Sequence, residues 1–402
     1  MATIIRGGTL FDSVTGVFKP NVGLCIEGKF IAKVGDVSKW DDSDATVIDA
    51  SGKTLIPGLA NLHGHLAWDG FSDLEGQCRY DGPMGYLKAA RGLIASVEAG
   101  ITTFRDLACV HDTGLYAREA VREGLIPGPK VISCGRAVCR TGGHIWYGNR
   151  EADGVEEVRK AVREQIKQGA DWIKLMAHGY TRDEIFAVVT QAHDMGVPVT
   201  TDAGTWAEIA VDAGVDCIEH GGNYSDELIE KIVDRGVWIV PTLSPVVLQA
   251  RRGTEWGIKQ SVIDRRRSQL ADSGRHEGLV RARKAGVKIA FGTDSGSPVV
   301  PHSAILGEME ALLEFGIFET SVEVLQAATI RAAELLKQEK TSGSLDEGKY
   351  ADIVIINGDV ETDLQAIENI ETVYIDGRLT VVKGSAQLPD PRDFKAFVNI
   401  GA

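Results

Sequence analysis

Two histidines separated by a single glycine close an apolar run, Ile56-Pro57-Gly58-Leu59-Ala60-Asn61-Leu62-His63-Gly64-His65. In a strand, residues two apart project to one face, so His63 and His65 point together. Gly64 takes away the side chain that would crowd an ion between them. Paired imidazoles at the end of a strand suit a borderline-soft divalent metal. A bare His-x-His fits a surface turn equally well, so the choice falls to the elements around it.

Periodicity predicts those elements. From Leu59 to Lys340 short apolar runs alternate with amphipathic helical patterns. Strands are expected at 58–63, 101–107, 130–134, 172–177, 198–202, 217–220, 238–243 and 289–294. Helices are expected at 85–99, 155–168, 182–194, 205–213, 226–235 and 278–285, several stopped by Ala-Gly or Arg-Gly. Eight strand–helix units over about 280 residues make an α/β fold, a (β/α)8 TIM-type barrel. An open doubly wound sheet is less favoured, because no GxGxxG turn is present.

A barrel of this kind gathers its chemistry at the C-terminal ends of its strands. Read there, the chain gives His63 and His65, Asp106, Lys174 with His178 following, Asp202, His220, Thr242 and Asp294. Metal-competent or charged groups end six of the eight strands. One such residue is an ordinary polar cap; their coincidence on a single rim is the signal.

The two ends of the chain differ from this middle. Apolar runs at Thr3–Ile5, Thr9–Phe11, Val22–Ile26, Phe30–Val34 and Ala45–Asp49 are separated by Gly-containing turns. Ala351–Ile356, Ile370–Ile375 and Leu379–Val382 repeat the pattern, with Asp376-Gly377 as a hairpin turn. We therefore expect a small discontinuous β-sandwich domain from residues 1–57 and 345–402 around a barrel at 58–344. The net charge of −14 argues against nucleic acid, which needs clustered Lys and Arg. Six scattered cysteines without a CxxC pair predict reduced thiols and a cytoplasmic setting. No stretch approaches eighteen apolar residues, so no membrane span is expected.

With these residues assembled, the chain resembles the amidohydrolase superfamily over nearly its whole length. Pro57 to His65, Ile218-Glu219-His220-Gly221 and Phe291-Gly292-Thr293-Asp294-Ser295 are similar to that family's first-, sixth- and eighth-strand motifs. Thr141-Gly142-Gly143-His144, Ala170 to Leu175 and Glu219 to Tyr224 resemble its imidazolonepropionase-related branch, which includes metal-dependent carboxypeptidases and prolidase-like dipeptidases. The resemblance implies a divalent metal, zinc-like, at His63, His65 and Asp294. It implies that Lys174 reacts with CO2 to give a carbamate bridging two ions, and that His220 holds the second. At strand five the family carries a histidine where this chain has Asp202. Its shorter, anionic side chain leaves three outcomes: a harder two-metal set, a single occupied site, or a weakened catalyst.

The implied activity is hydrolysis of a C–N bond in a peptide-like amide, such as an N-acyl amino acid or dipeptide, by a metal-activated water. Asp294 is expected as general base, Tyr224 as donor to the developing oxyanion, and His144 as a substrate-facing group. Arg136 or Arg140 would pair with a substrate carboxylate. Trp68, with Trp146, Tyr147 and Trp206, would line the mouth. A non-peptide amide, urea or carbamate suits the same machinery. A mononuclear deaminase is disfavoured, because the first glutamate after Asp202 is Glu208, outside the expected HxxE spacing. A non-catalytic scaffold has only Asp202 in its favour. Relatives often form symmetric homo-oligomers, which carries over only by analogy.

Overall fold

A computed structural model describes residues 2–40, 42–70, 76, 78 and 83–389. Its first five strands are β1 (Ala2–Asp12), β2 (Val17–Glu27), β3 (Phe30–Gly35), β4 (Ala45–Asp49) and β5 (Lys53–Pro57). The runs expected at Thr3–Ile5 and Thr9–Phe11 are one strand, β1, with register shifts against β2 on either side of Gly8. A bulge there lets the strand bend without ending. It pairs with β4 over residues 2–6 and with β5 at residues 9 and 10.

The middle of the chain alternates strands and helices. Described in order are β6 (Leu59–Gly64), α1 (Pro83–Glu98), β7 (Ile101–Asp106), α2 (Thr113–Arg122), β8 (Lys130–Ser133), β9 (Val138–Cys139) and β10 (Arg150–Glu151). There follow α3 (Val155–Gln168), β11 (Ile173–Met176), α4 (Arg182–Asp194), β12 (Val199–Asp202), α5 (Ala207–Ala213), β13 (Cys217–Glu219), α6 (Asp226–Arg235) and β14 (Trp238–Val240). Then come α7 (Ser244–Arg252), α8 (Gln260–Ala271), α9 (Gly274–Lys284) and α10 (Ile305–Glu314). All the strand pairs from β6 to β14 are parallel, in a three-stranded sheet β6-β7-β8 and a six-stranded sheet β10-β9-β11-β12-β13-β14. Strands β6, β7 and β11 to β14 are buried along their length, as parallel strands covered on both faces must be.

The expected eighth strand at 289–294 departs from regular pairing. Ile239 bridges Ile289, Gly64 bridges Ser295, and between them Leu62 N–H donates to Phe291 O at 3.0 Å. Asp294 N–H donates to His63 O at 2.7 Å. The ladder is interrupted because Asp294 has left-handed φ (+57°), which turns the backbone out of the extended region. Three helices, α7 to α9, precede this segment; the sequence pattern predicted only the last, and of the residues in α8 only Ile263 is buried.

Strands β15 (Ile353–Asn357), β16 (Ile370–Ile375), β17 (Arg378–Val382) and β18 (Ser385–Ala386) return to the sheet that the N-terminus began. Its order, β18-β17-β16-β15-β5-β1-β2-β3 with β4 on β1, makes nine strands joined across the β5–β15 pair. Asp376 and Gly377 both have positive φ (+48° and +71°), as a two-residue hairpin turn requires. Ile5, Leu24, Ile31, Leu55, Ile353 and Ile355 form the buried core of this sheet. Residues 390–402, assigned above to the same domain, lie outside the described residues.

Candidate metal centre

His63 and His65 lie at the end of β6, and Asp294 approaches from the irregular segment beside it. His65 Nε2 is 3.0 Å from Asp294 Oδ1, and His63 Nε2 is 3.7 Å from the same oxygen. One ligand atom from each of the three falls within 4.8 Å of the others, a span that suits a single divalent ion. Both histidines are buried, and His63 Nε2 has no hydrogen-bond partner. An unpaired buried acceptor costs free energy unless something binds it. The donor set therefore fits a metal.

The far side of each ring is held. His65 Nδ1 faces Ala108 O at 3.3 Å, and the Trp68 ring lies against the His65 ring with centroids 4.1 Å apart. His63 Nδ1 is 2.7 Å from Glu219 Oε2. Glu219 also accepts from Arg105 Nη2 at 2.7 Å and from Thr200 Oγ1. Burial by itself raises the Glu219 carboxyl, but the Arg105 guanidinium and His63 outweigh it and hold the group well below the usual carboxylate range. An ionised Glu219 fixes the His63 tautomer with Nε2 free for a ligand. Sequence reading assigned no role to Glu219 or Arg105. Alternation puts Glu219 on the face opposite His220, and nothing local tells that Arg105 from β7 will meet it.

The tertiary reason is a turn in the backbone. His220 takes φ +69°, which breaks the two-residue alternation, so Glu219 and His220 both reach the site. The His220 ring stands 4.7 Å from the His63 ring, and its Nδ1 is 2.6 Å from Thr242 Oγ1. Thr242 and Asp294 are left-handed too, with φ +47° and +57°. Non-glycine residues in this region cost of order 1 kcal/mol each and persist where the surroundings enforce them. Arg275 from α9 does part of that enforcing: its Nε donates to His220 O at 3.0 Å and its Nη2 to Pro241 O at 3.0 Å.

Lys174 and Asp202 face the same space. In register, Lys174 pairs Thr200 while Met176 pairs Asp202, so Lys174 sits two residues deeper. Its ammonium is buried with no hydrogen-bond partner. Asp202 carries its carboxylate at the strand end, 3.0 Å from His178 Nε2, 3.7 Å from His220 Nε2 and 3.8 Å from His144 Nε2. Burial raises the Asp202 carboxyl; His220, His178 and Lys174 together hold it well below its ordinary value. Tyr224 is buried with an unpartnered hydroxyl, which burial keeps protonated far above neutral pH.

The remaining sequence candidates are more dispersed. Arg136 Nε lies 3.3 Å from Asp112 Oδ1, and Arg140 Nη1 donates to Gly179 O at 3.4 Å, beside His178. Trp68 is buried rather than at an open wall, Trp146 is exposed, and Trp206 Nε1 donates to Tyr180 O at 3.0 Å. Asp106 accepts from Leu66 N–H and Ser133 Oγ, bracing the segment after His65, and burial pushes its carboxyl up to about 6. Gly64 does not make room for an ion. A Cβ there would meet Phe104 Cζ at 2.3 Å and Ser295 Oγ at 2.6 Å, because Gly64 faces away from the two histidines.

A profile of the amidohydrolase family matches residues 54–380, which include every one of these groups. The chain belongs to that family. It is a hydrolase, and the family's chemistry is metal-dependent hydrolysis of C–N bonds. This amidohydrolase is 29% identical to ochratoxinase from Aspergillus niger over 420 residues, covering 92% of the chain and 84% of the relative. It is 27% identical to imidazolonepropionase from Geobacillus kaustophilus (strain HTA426) over 418 residues, with 92% of each covered. A solved prolidase in complex with N-methylphosphonate-L-proline matches with a TM-score of 0.86 and 28% identity, covering 96% of this chain and all of that one. Among the described residues no helix is long and apolar enough to cross a membrane, and all six cysteines are free and buried.

Proposed function

We propose that this amidohydrolase cleaves the amide bond of a small substrate bearing a free carboxylate, of the N-acyl amino acid or dipeptide type. The convergence of His63, His65 and Asp294 within 4.8 Å, backed by Glu219, carries the reading. The likeness to a prolidase that binds an N-substituted proline, and to ochratoxinase, supports the substrate class. A divalent ion held by these three residues, zinc-like in its preference for imidazole, supplies Lewis acidity and lowers the pKa of water to about 7.

The chain's own groups do the rest. Asp294, kept ionised by His65 and His63 despite its burial, accepts the attacking water's proton and delivers it to the leaving nitrogen. Tyr224, protonated and unpartnered, donates to the carbonyl oxygen as charge develops there. His144, at the open side, orients the substrate, and Arg140, or Arg136 once released from Asp112, takes its carboxylate. Trp68 acts through the His65 ring it packs against. Lys174 reads best as a carbamate, which with Asp202 and His220 would hold a second ion. A buried ammonium without a partner is costly, whereas CO2 adding to the neutral amine, with loss of a proton, gives an anion for cations to stabilise.

The architecture proposed for this chemistry is a closed eight-stranded barrel over 58–344, with a β-sandwich from 1–57 and 345–402. Bonds from Ile239 and Ala290 on one side, and from Leu62, His63 and His65 on the other, join 289–295 to both parallel sheets and support closure. A cytoplasmic homo-oligomer completes the reading; the reduced, buried thiols suit that compartment.

The test is metal-stripped protein, reloaded with zinc and assayed on N-acyl amino acids, Xaa-Pro dipeptides, ureas and carbamates. Hydrolysis of the first two classes should return with metal and fall at least 100-fold in His65→Ala. Turnover confined to ureas or carbamates would replace the substrate class. Ammonia release without a new carboxylate would mean deamination.

A further inference from the structure

The connection after β14 carries two helices, α7 and α8, before α9 leads into 289–295. Because β12, β13 and β14 run parallel, this connection leaves the sheet at the end that carries Asp202 and His220. Helix α8 is polar almost throughout, and Ile263 is its one buried residue. Arg266 lies three positions on, on the same face, and is half-buried. Its Nε donates to Gln249 Oε1 at 2.9 Å, and Gln249, buried on α7, donates from Nε2 to Pro298 O at 2.9 Å. The residue before Pro298, Ser297, donates from Oγ to Asp294 Oδ1 at 3.0 Å. This relay holds the Arg266 guanidinium toward the segment that carries Asp294.

The other hydrogen bond of Arg266, from Nη1 to Gln269 Oε1 at 2.9 Å, also ends on an amide. Among the described residues no carboxylate forms an ion pair with it. Burial lowers the pKa of Arg266 and the charges of Arg265 and Arg275 lower it further, while Asp294 acts the other way. Asp294 already faces His63 and His65. A partly desolvated guanidinium beside two like charges is stabilised by an anion arriving from solvent. A brace between α7 and α8 needs only a hydrogen-bond donor, which a neutral side chain supplies without that cost.

We propose that Arg266 receives a second carboxylate of the substrate, so that the enzyme prefers amides anionic at both ends, such as an amino acid N-acylated by a dicarboxylic acid. Arg140 follows β9 and Arg266 follows β14, strands on opposite sides of the six-stranded sheet. The two guanidiniums thus approach the centre from opposite sides, one for each end of such a substrate. Arginine suits the task because its planar fork matches a carboxylate and keeps its charge when partly buried. The proposal rests on the amide-hydrolase reading and narrows its substrate class.

Zinc-loaded protein assayed on a matched pair tests this: N-succinyl-leucine, and its counterpart in which a primary amide replaces the succinyl carboxylate. The parent should favour the acid by about tenfold or more in kcat/KM, mainly through KM. Arg266→Gln should bring that ratio close to one. Arg266→Glu should turn the preference toward N-(4-aminobutanoyl)-leucine, whose acyl group ends in an ammonium, a gain that misfolding cannot produce. Arg140→Gln should slow the acid and the amide alike and leave their ratio as in the parent. A parent indifferent between the two overturns the assignment, as does a preference for the acid that survives in both Arg266 variants. A parent that cleaves N-acetyl-leucine and neither succinyl compound overturns it while leaving the hydrolase reading intact. A parent inactive on every amide overturns both.

Discussion

Glu219 meets no substrate in this reading, yet His63 depends on it. Its two oxygens are shared among His63, Arg105 and Thr200, all buried. Replacing it by glutamine keeps the shape and removes the charge, so one side-chain amide N–H must face a donor. We expect Glu219→Gln to weaken metal binding at the His63 position roughly 10- to 100-fold, as loss of such a supporting partner does. It should also lower stability by about 3 kcal/mol or more, since Arg105 then lies buried without its counter-charge. Competition with a chromogenic chelator and urea unfolding measure the two effects; unchanged affinity would sink the role given to Glu219. His63, His65, His220 and Asp294 were legible in the sequence because residue type and strand-end position coincide. Glu219 was not, because its partner Arg105 lies more than a hundred residues away and the turn at His220 is invisible to alternation.

At the scale of elements, β6 and its neighbours are packed so closely that a methyl group is felt. The sequence reading of Gly64 as space for an ion named a face that the residue does not point to. Its missing side chain is required by Phe104 on β7 and by Ser295. Gly64→Ala should therefore cost about 1–3 kcal/mol of stability by overpacking, with metal stoichiometry preserved. Denaturant unfolding and metal analysis of the same preparation check this. A variant that lost metal without losing stability would return Gly64 to the ion. The helices α3, α4 and α6 were read to both of their ends, because their caps are local: Thr181 accepts from Glu184 N–H and Glu184 reaches back to Thr181 N–H. The eighth strand was misread as regular, since nothing in its residues announces the left-handed Asp294.

For the whole molecule, one buried carboxyl ties remote elements together and makes stability depend on pH. Glu308 on α10 accepts from Leu243 N–H, Ser244 N–H and Ser244 Oγ at the start of α7. Burial outweighs these bonds and pushes its carboxyl up to about 7 from an ordinary 4.5. As pH rises above 4.5 the unfolded chain releases this proton while the folded protein keeps it, so unfolding free energy falls until about pH 7 and then levels. A shift of this size corresponds to about 3 kcal/mol across the window. Glu308→Gln should flatten that part of the profile in chemical denaturation between pH 4.5 and 7. An unaltered slope would assign it to other groups, such as Asp106.

Local information in the sequence was enough for the alternation of strands and helices, the rim of metal-competent strand ends and the family. Each rests on residue type and spacing over a few positions. Position 202 is different. The sequence places an aspartate at the end of β12, but whether it fails as a ligand or works with others depends on which side chains reach it. Only the tertiary structure brings His144, His178 and His220 to that carboxylate, because their approach is set by loop paths and by a left-handed backbone at His220. The packing of distant elements enforces both, and no short stretch of sequence encodes either.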